Sequence, residues 1–131
     1  MILVLDASAA FEIILQKENA QLFRQITEKA DWVLAPDIYV SEITNTAWKY
    51  FQFGVLKSEE SVSIAETGIN LVDDFVSSKE LWKEALAESI RFKHSVYYIL
   101  YLITARRNNG RLLSIDKKLI QIAKGVGIEV N

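Results

Sequence analysis

The sequence predicts an α/β protein, a three-layer sandwich in which helices cover both faces of a central, mainly parallel sheet of four to five strands. Three observations carry that expectation. Short runs of β-branched residues and leucine alternate along the chain with longer helical patterns. The runs are apolar throughout rather than alternating, as in strands buried on both faces. Finally, 131 residues, half of them hydrophobic, suit one domain able to bury about two-thirds of its unfolded surface.

The elements follow in order. Ile2-Leu3-Val4-Leu5 is the first strand, and helical patterns run from Ala9 to about Leu15 and from Asn19 to Ala30. Trp32-Val33-Leu34-Ala35 is the second strand. A helix spans Asp37 to Phe53, with Pro36 at its start, where a missing N–H costs nothing, and Gly54 as its stop. The helix from Ser58 to about Ile69 opens on Ser58-Glu59-Glu60-Ser61, an acidic turn suited to the positive end of the helix dipole. A weaker strand lies near Leu71-Val72, running towards Phe75-Val76. Helices from Lys79 to Arg91 and Ser95 to Asn108 come next, the second stopped by Gly110. Leu112-Leu113-Ser114-Ile115 is a strand, Lys117 to Lys124 a helix, and Ile128-Glu129-Val130 a last short strand. Right-handed crossovers put the carboxyl ends of parallel strands on one edge. Without repeats, low-complexity tracts or a linker, residues 1–131 read as a single domain.

Composition narrows the function classes. Fifteen basic and 17 acidic residues give a formal charge of −2, which argues against a polycationic nucleic-acid binder but leaves room for a nucleic-acid enzyme that works through local charge and metal. The absence of Cys excludes disulfides, thiolate metal sites and Cys nucleophiles. The opening apolar run stops at Asp6 and has no basic leader, and the apolar stretch from Val96 to Ile103 is far below the ~20 residues needed to span a bilayer. The expectation is a soluble cytoplasmic protein without membrane attachment.

Asp6 immediately follows the first strand and Asp116 the strand Leu112 to Ile115. In open α/β sheets ligands bind outside the carboxyl ends of the strands, so two acids at equivalent strand ends favour a shared site. The alternative is that each caps the helix it precedes. Glu42 lies in the first half of its helix and shares a stripe with Asn45, Thr46 and Lys49, which taken alone reads as a solvated face.

Val4-Leu5-Asp6-Ala7-Ser8-Ala9, Ser41-Glu42-Ile43-Thr44-Asn45-Thr46-Ala47-Trp48 and Leu112-Leu113-Ser114-Ile115-Asp116-Lys117-Lys118-Leu119 together resemble the PIN-domain family, and within it the VapC-type toxins of toxin–antitoxin pairs. The likeness covers essentially the whole chain. It implies a metal-dependent endoribonuclease in which Asp6, Glu42 and Asp116 are the catalytic acids and hold Mg²⁺ or Mn²⁺. It further implies that Asn45 and Ser114 are accompanying polar positions, and that a homodimer and an antitoxin protein are partners. The chemistry fits. Two carboxylates about 4 Å apart repel by about 4 kcal/mol at an effective dielectric of 20, so such a cluster needs protons, basic partners or a cation. Oxygen ligands without Cys or clustered His suit Mg²⁺ or Mn²⁺ rather than Zn²⁺.

One position departs from the family's pattern. The late helix usually carries another acid within Tyr-Asp-Ala-x-Tyr, whereas this chain reads Tyr97-Tyr98-Ile99-Leu100-Tyr101, with Tyr98 in the acid's place. A phenol with a pKa near 10 is a poor ligand for Mg²⁺. The alternative function is therefore a PIN domain without catalysis that binds RNA or a protein, Tyr98 filling the pocket. His94, four residues upstream, reads as a cap or surface residue, and Glu12 as at most an outer group around the acids.

Other features complete the sequence's expectations. Arg106, Arg107 and Arg111 follow one another around a helix end near the crevice in sequence, where they either meet a phosphate backbone, Arg107 foremost, or simply solvate the terminus. Trp32, Trp48 and Trp82 read as core or interface anchors rather than base platforms. Ile64, Gly68 and Leu71, with Phe75, form a stripe that is either core or a dimer surface. A phospho-accepting receiver domain lacks support, since Asp6 has no acidic neighbour and no Lys follows a strand in the right place.

Overall fold

The computed structural model describes residues 1–131. The chain runs β1 (Ile2–Leu5), α1 (Ala7–Ile14), α2 (Ala20–Glu28), β2 (Trp32–Pro36), α3 (Ile38–Gln52), α4 (Ser58–Asn70), β3 (Asp74–Val76), α5 (Ser78–Phe92), α6 (Val96–Arg107), β4 (Arg111–Leu113) and α7 (Lys117–Gly125). The four strands form one parallel sheet in the order β3-β2-β1-β4. Helices α1 to α4 pack on one another, while α6 packs on β1, β2 and β4 and against α5 and α7, giving the expected three layers. No helix is long and apolar enough to cross a membrane.

Burial explains the pattern. Leu3, Val4 and Leu5 of β1 and Leu112 and Leu113 of β4 are fully buried. Helix α6 is buried from Ile99 to Ala105, all the way round, which its unbroken apolar run anticipates. The chain moves from β1 outward to β2 and β3, then returns through α5 and α6 to place β4 on the far side of β1. The strand order thus reverses between β1 and β4, the place where an open α/β sheet offers a crevice for ligands.

Several boundaries differ from expectation. Pro36 ends β2 rather than starting α3: it stands in register with Val76, and the ladder passes to the next residue, whose Asp37 N–H donates to Val76 O at 2.8 Å. The strand after Gly110 stops at Leu113, because the N–H and C=O of Ser114 bond the Asn131 side chain at 3.0 and 2.9 Å. Val130 makes a single parallel bridge to Leu112 rather than a full strand. Leu71 and Val72 close α4, leaving only Asp74–Val76 as the strand. Gly54 takes the left-handed conformation after α3. After α6 Asn109 adopts it instead, and Gly110 is required by closeness: a Cβ there would lie 3.3 Å from Ile2 Cγ2 and 3.4 Å from Ile2 O.

The tryptophans are not core. Trp32, Trp48 and Trp82 are 47%, 54% and 56% exposed. Of the stripe on α4, Gly68 is buried against Ile14 and Ile43, and Ile64 and Leu71 pack on the core, so that stripe faces inward. Phe75 remains exposed.

Candidate active site

Asp6 sits at the turn from β1 into α1, 2% exposed. Its Oδ1 accepts from Ala9 N at 2.9 Å, capping α1, and from Ser8 Oγ at 2.6 Å. Its Oδ2 accepts a short hydrogen bond from Ser114 Oγ. Asp116 caps α7 in the same way, taking Leu119 N–H on Oδ1 at 2.7 Å, while its own N–H donates to Ser114 Oγ at 3.0 Å. The two readings of these acids are therefore compatible. Each caps a helix and both belong to one network at the β1–β4 reversal, with Ser114 as the link.

Glu42 approaches from α3. Its Oε1 accepts from Tyr101 Oη at 2.5 Å, and Tyr101 is fully buried on α6. Asp6, Glu42, Tyr98 and Tyr101 line one cavity of about 290 Å³, whose only basic lining residue, Lys17, is bonded to Tyr50 Oη at 3.0 Å. Asp116 does not line that cavity, but its charge is felt within it. Burial, above all, raises the Asp6 carboxyl above the usual range, and Asp116 raises it further, against the hydrogen bonds from Ser114, Ser8 and Ala9. Glu42 is raised by burial first and by Asp6, and lowered by Tyr101. Tyr98 is raised by burial and then by Asp116, Glu42 and Asp6 together. No basic group is among the causes of any of these shifts.

Tyr98 stands among the acids, 37% exposed. Its ring stacks on His94, with centroids 4.8 Å apart and planes within 5°. His94 is neither cap nor surface residue: its side chain is 12% exposed and Nε2 lies 3.3 Å from Asp116 Oδ1. Lys93, in the left-handed conformation between α5 and α6, turns the chain so that His94 points back at the sheet edge. Glu12 is buried, accepts from Asn19 at 2.7 Å and does not line this cavity.

Two expected residues stand elsewhere. Asn45 is exposed on α3 and lines a neighbouring cavity with Glu42 and Tyr98, rather than facing Asp6. Arg107 lies at the opposite end of α6, on the amino edge of the sheet, and donates to Glu84 at 3.0 Å. The nearness of Arg107, Arg106 and Arg111 to the crevice is thus corrected: Arg106 and Arg107 end the twelve-residue helix whose first turn carries Tyr98, and Arg111 lies beyond that end. Sequence reasoning missed Tyr101 as the partner of Glu42 and Ser8 as a partner of Asp6. The spacing of Tyr98 and Tyr101, three apart on one helix face, was the available signal for the first.

The donor set suits a hard divalent cation without forming a complete cage. No three His, Asp or Glu side chains stand close enough together to surround a metal. Mg²⁺ does not require that, since it keeps much of its water and is held through one or two carboxylates together with substrate phosphate. Oxygens with spare lone pairs remain on Glu42, Asp116 and Asp6, and the acids have only neutral donors for company beyond His94.

A curated relative covers nearly all of the chain. Ribonuclease VapC3 of Pyrobaculum aerophilum is 27% identical over 126 residues, 92% of this chain and 94% of the relative. The chain is therefore similar, over nearly its whole length, to a VapC-type ribonuclease. The fold agrees: the crystal structure of PAE2754 from Pyrobaculum aerophilum superposes with a TM-score of 0.77, at 15% sequence identity, over 99% of this chain and 83% of that one. No known protein-family profile matches the chain. Within this PIN-like fold the four positions that the resemblance singles out at the strand edge are Asp6, Glu42, Tyr98 and Asp116, and the tyrosine is the one without a charge to offer.

Proposed function

We propose that this PIN domain is an endoribonuclease of the VapC toxin type that hydrolyses RNA phosphodiester bonds with Mg²⁺ or Mn²⁺. The observation that carries the reading is the meeting of three acids at the strand-order reversal: Asp6 and Glu42 line one cavity, Asp116 is joined to Asp6 through Ser114, and Lys17, bonded to Tyr50, is the only base on the cavity wall. A cation and an RNA phosphate would enter such a site together, each making the other's presence favourable.

Asp6, Asp116 and Glu42 would hold the cation. When bound, it supplies Lewis-acid stabilisation of the phosphate and a more acidic water. Ser114 and Ser8 fix the Asp6 carboxylate and Tyr101 fixes that of Glu42, so the acids are oriented before substrate arrives. The name of the relative, a ribonuclease, supports RNA as the substrate. The family further suggests a cognate antitoxin and a homodimer in the cytoplasm. In support, Trp48, Phe51 and Val62 are exposed around an apolar groove of about 570 Å³ between α3 and α4, the kind of patch that marks a protein contact.

A second reading rests on one observation, Tyr98. Because its ring, stacked on His94, takes up part of the wall of the Asp6 and Glu42 cavity where the family carries an acid, the domain would bind RNA or protein without cutting. RNA cleavage in Mn²⁺ by the wild type and by Asp6→Asn separates the two. Asn caps a helix about as well as Asp, so the variant should keep its circular dichroism spectrum while cleavage falls ~10²-fold or more, the scale of several kcal/mol of lost charge stabilisation. Equal cleavage by both proteins would remove the catalytic reading and leave the binding one.

A further inference from the structure

Beside the acid cavity lies a second one, about 330 Å³, lined by Ile38, Ser41, Glu42 and Asn45 of α3 and by Tyr97 and Tyr98 of α6. Glu42 and Tyr98 line both cavities and so form the wall they share. We propose that this second cavity is a nucleobase subsite, which takes an unpaired base next to the phosphate held at the acids, stacked on tyrosine and held at its edge by Asn45. The proposal rests on the RNA reading above and names where that site takes the neighbouring base.

The lining has the two parts that base recognition needs. Single-stranded RNA is bound by stacking bases on aromatic side chains and by hydrogen bonds to their edges. The aromatic part is Tyr97 and Tyr98. Tyr98 is a prepared platform, because its ring is stacked on His94 within 5° of parallel and His94 in turn lies 3.3 Å from Asp116. No rotamer freedom has to be lost when a base arrives, which is the cost stacking on a loose side chain would carry. Tyr97 is 59% exposed at the rim, although an aromatic side chain gains by burial, and it has no side-chain hydrogen bond.

The polar part is Asn45, with Ser41 beside it, both exposed in the first half of α3. A carboxamide offers one acceptor and two donors. A base edge with a donor beside an acceptor satisfies both sides at once, the pairing that makes Asn and Gln readers of adenine. Cytosine offers the same pair, and uracil offers it as N3–H beside a carbonyl, so the carboxamide can hold the edge of each of them.

The experiment is fluorescence anisotropy with short labelled strands of oligoadenylate, oligocytidylate and oligouridylate in Ca²⁺, alongside cleavage of the same strands in Mn²⁺. Asn45→Ala should weaken the binding of each strand by ~5-fold, the effect of one edge contact of about 1 kcal/mol. Tyr97→Leu should weaken every strand by ~5- to 150-fold, the range of one lost base stack, and should abolish the quenching of a 2-aminopurine placed in the strand. Both substitutions are at exposed helix positions and leave the fold intact by circular dichroism. Strands that are cleaved while both variants bind them as the wild type does overturn the subsite and leave the ribonuclease standing. A wild type that neither binds nor cleaves any strand overturns the RNA reading and the subsite with it.

Discussion

The two edges of the sheet treat charge in opposite ways. At the amino edge Arg106 bonds Glu84 and Glu88 at 2.7 and 3.0 Å, and Arg107 bonds Glu84 at 3.0 Å, so acids and bases cancel at the surface. Arg106 is held above its usual basicity and Glu84 below the carboxylate range, each chiefly by the hydrogen bond between them. At the carboxyl edge Asp6 and Glu42 are buried more deeply, are satisfied by serine and tyrosine hydroxyls, and are raised. A protein that only needed to be stable would pair the buried acids and leave the exposed ones to water. The inverse arrangement is the one that the proposed cation and RNA phosphate would require of the carboxyl edge, whereas the amino edge is paired within the chain.

The widest test of that contrast is Tyr98→Asp. At present the fourth position contributes a neutral ring. An added carboxylate beside Asp116, Glu42 and Asp6 should make the cluster more demanding of a cation, and Mn²⁺ affinity by titration calorimetry should rise ~10- to 100-fold, the range over which supporting groups alter metal sites. The apo variant should be less stable than the wild type near neutral pH and recover with Mn²⁺. No gain in affinity would mean that Tyr98 does not stand where a ligand acts, and the carboxyl edge would lose its claim to be a metal site.

Glu42→Gln reads the same field through pH. A carboxyl raised in the folded state binds its proton more tightly there than in the unfolded chain. Stability is therefore highest below the unfolded carboxylate pKa, near 4.3 for Glu, and is lost as pH climbs through the raised value. The glutamine carbonyl still accepts from Tyr101, so the hydrogen bond survives while the titration disappears. The variant should melt at a higher temperature than the wild type at pH 7, and the gap should close as the pH falls through 4. A gap that is constant with pH would show that Glu42 feels no unusual environment. Mn²⁺ should narrow the gap at pH 7 by stabilising only the wild type.

How much of this was legible beforehand follows from what each feature depends on. The sheet and its helices were readable because apolar runs such as Leu3-Val4-Leu5 and Leu112-Leu113 report burial directly. The ends of β4 and α3 were not. They depend on Asn131 taking the backbone of Ser114, and on Val76 meeting Asp37, contacts between residues distant in sequence. Asp6 and Asp116 were legible from position, one behind each strand. Glu42 was visible only through the family likeness, because a half-buried acid on an amphipathic helix looks like any solvated one until Tyr101 closes on it. His94 was misread for the same reason: its neighbour Asp116 lies 22 residues away, across a helix and a strand. The tryptophans were readable only as core or interface anchors, and their exposure removes the first of the two. Apolar patterning marks a face as sticky and does not say whether the protein or a partner covers it.

The smallest effects belong to the amino edge, and they complete the contrast. Arg106→Gln removes the centre of an ion-paired group whose members are about one-third exposed, apart from the more buried Glu88. Exposed pairs contribute little, so the loss should be ~1 kcal/mol or less, a melting shift of no more than a few degrees for a domain of this size, and it should shrink in high salt. Arg107→Glu goes further by reversing a charge beside Glu84. If the arginines served the RNA backbone, this variant would lose affinity for RNA of every sequence and flatten the dependence of binding on salt. With the basic group a whole helix away from the acids, RNA affinity and its salt slope should both stay at the wild-type values while stability falls slightly. A reduced slope would move the RNA path to the amino edge and break the division of labour between the two edges, because the same arginines would then be answering both to Glu84 and to phosphate.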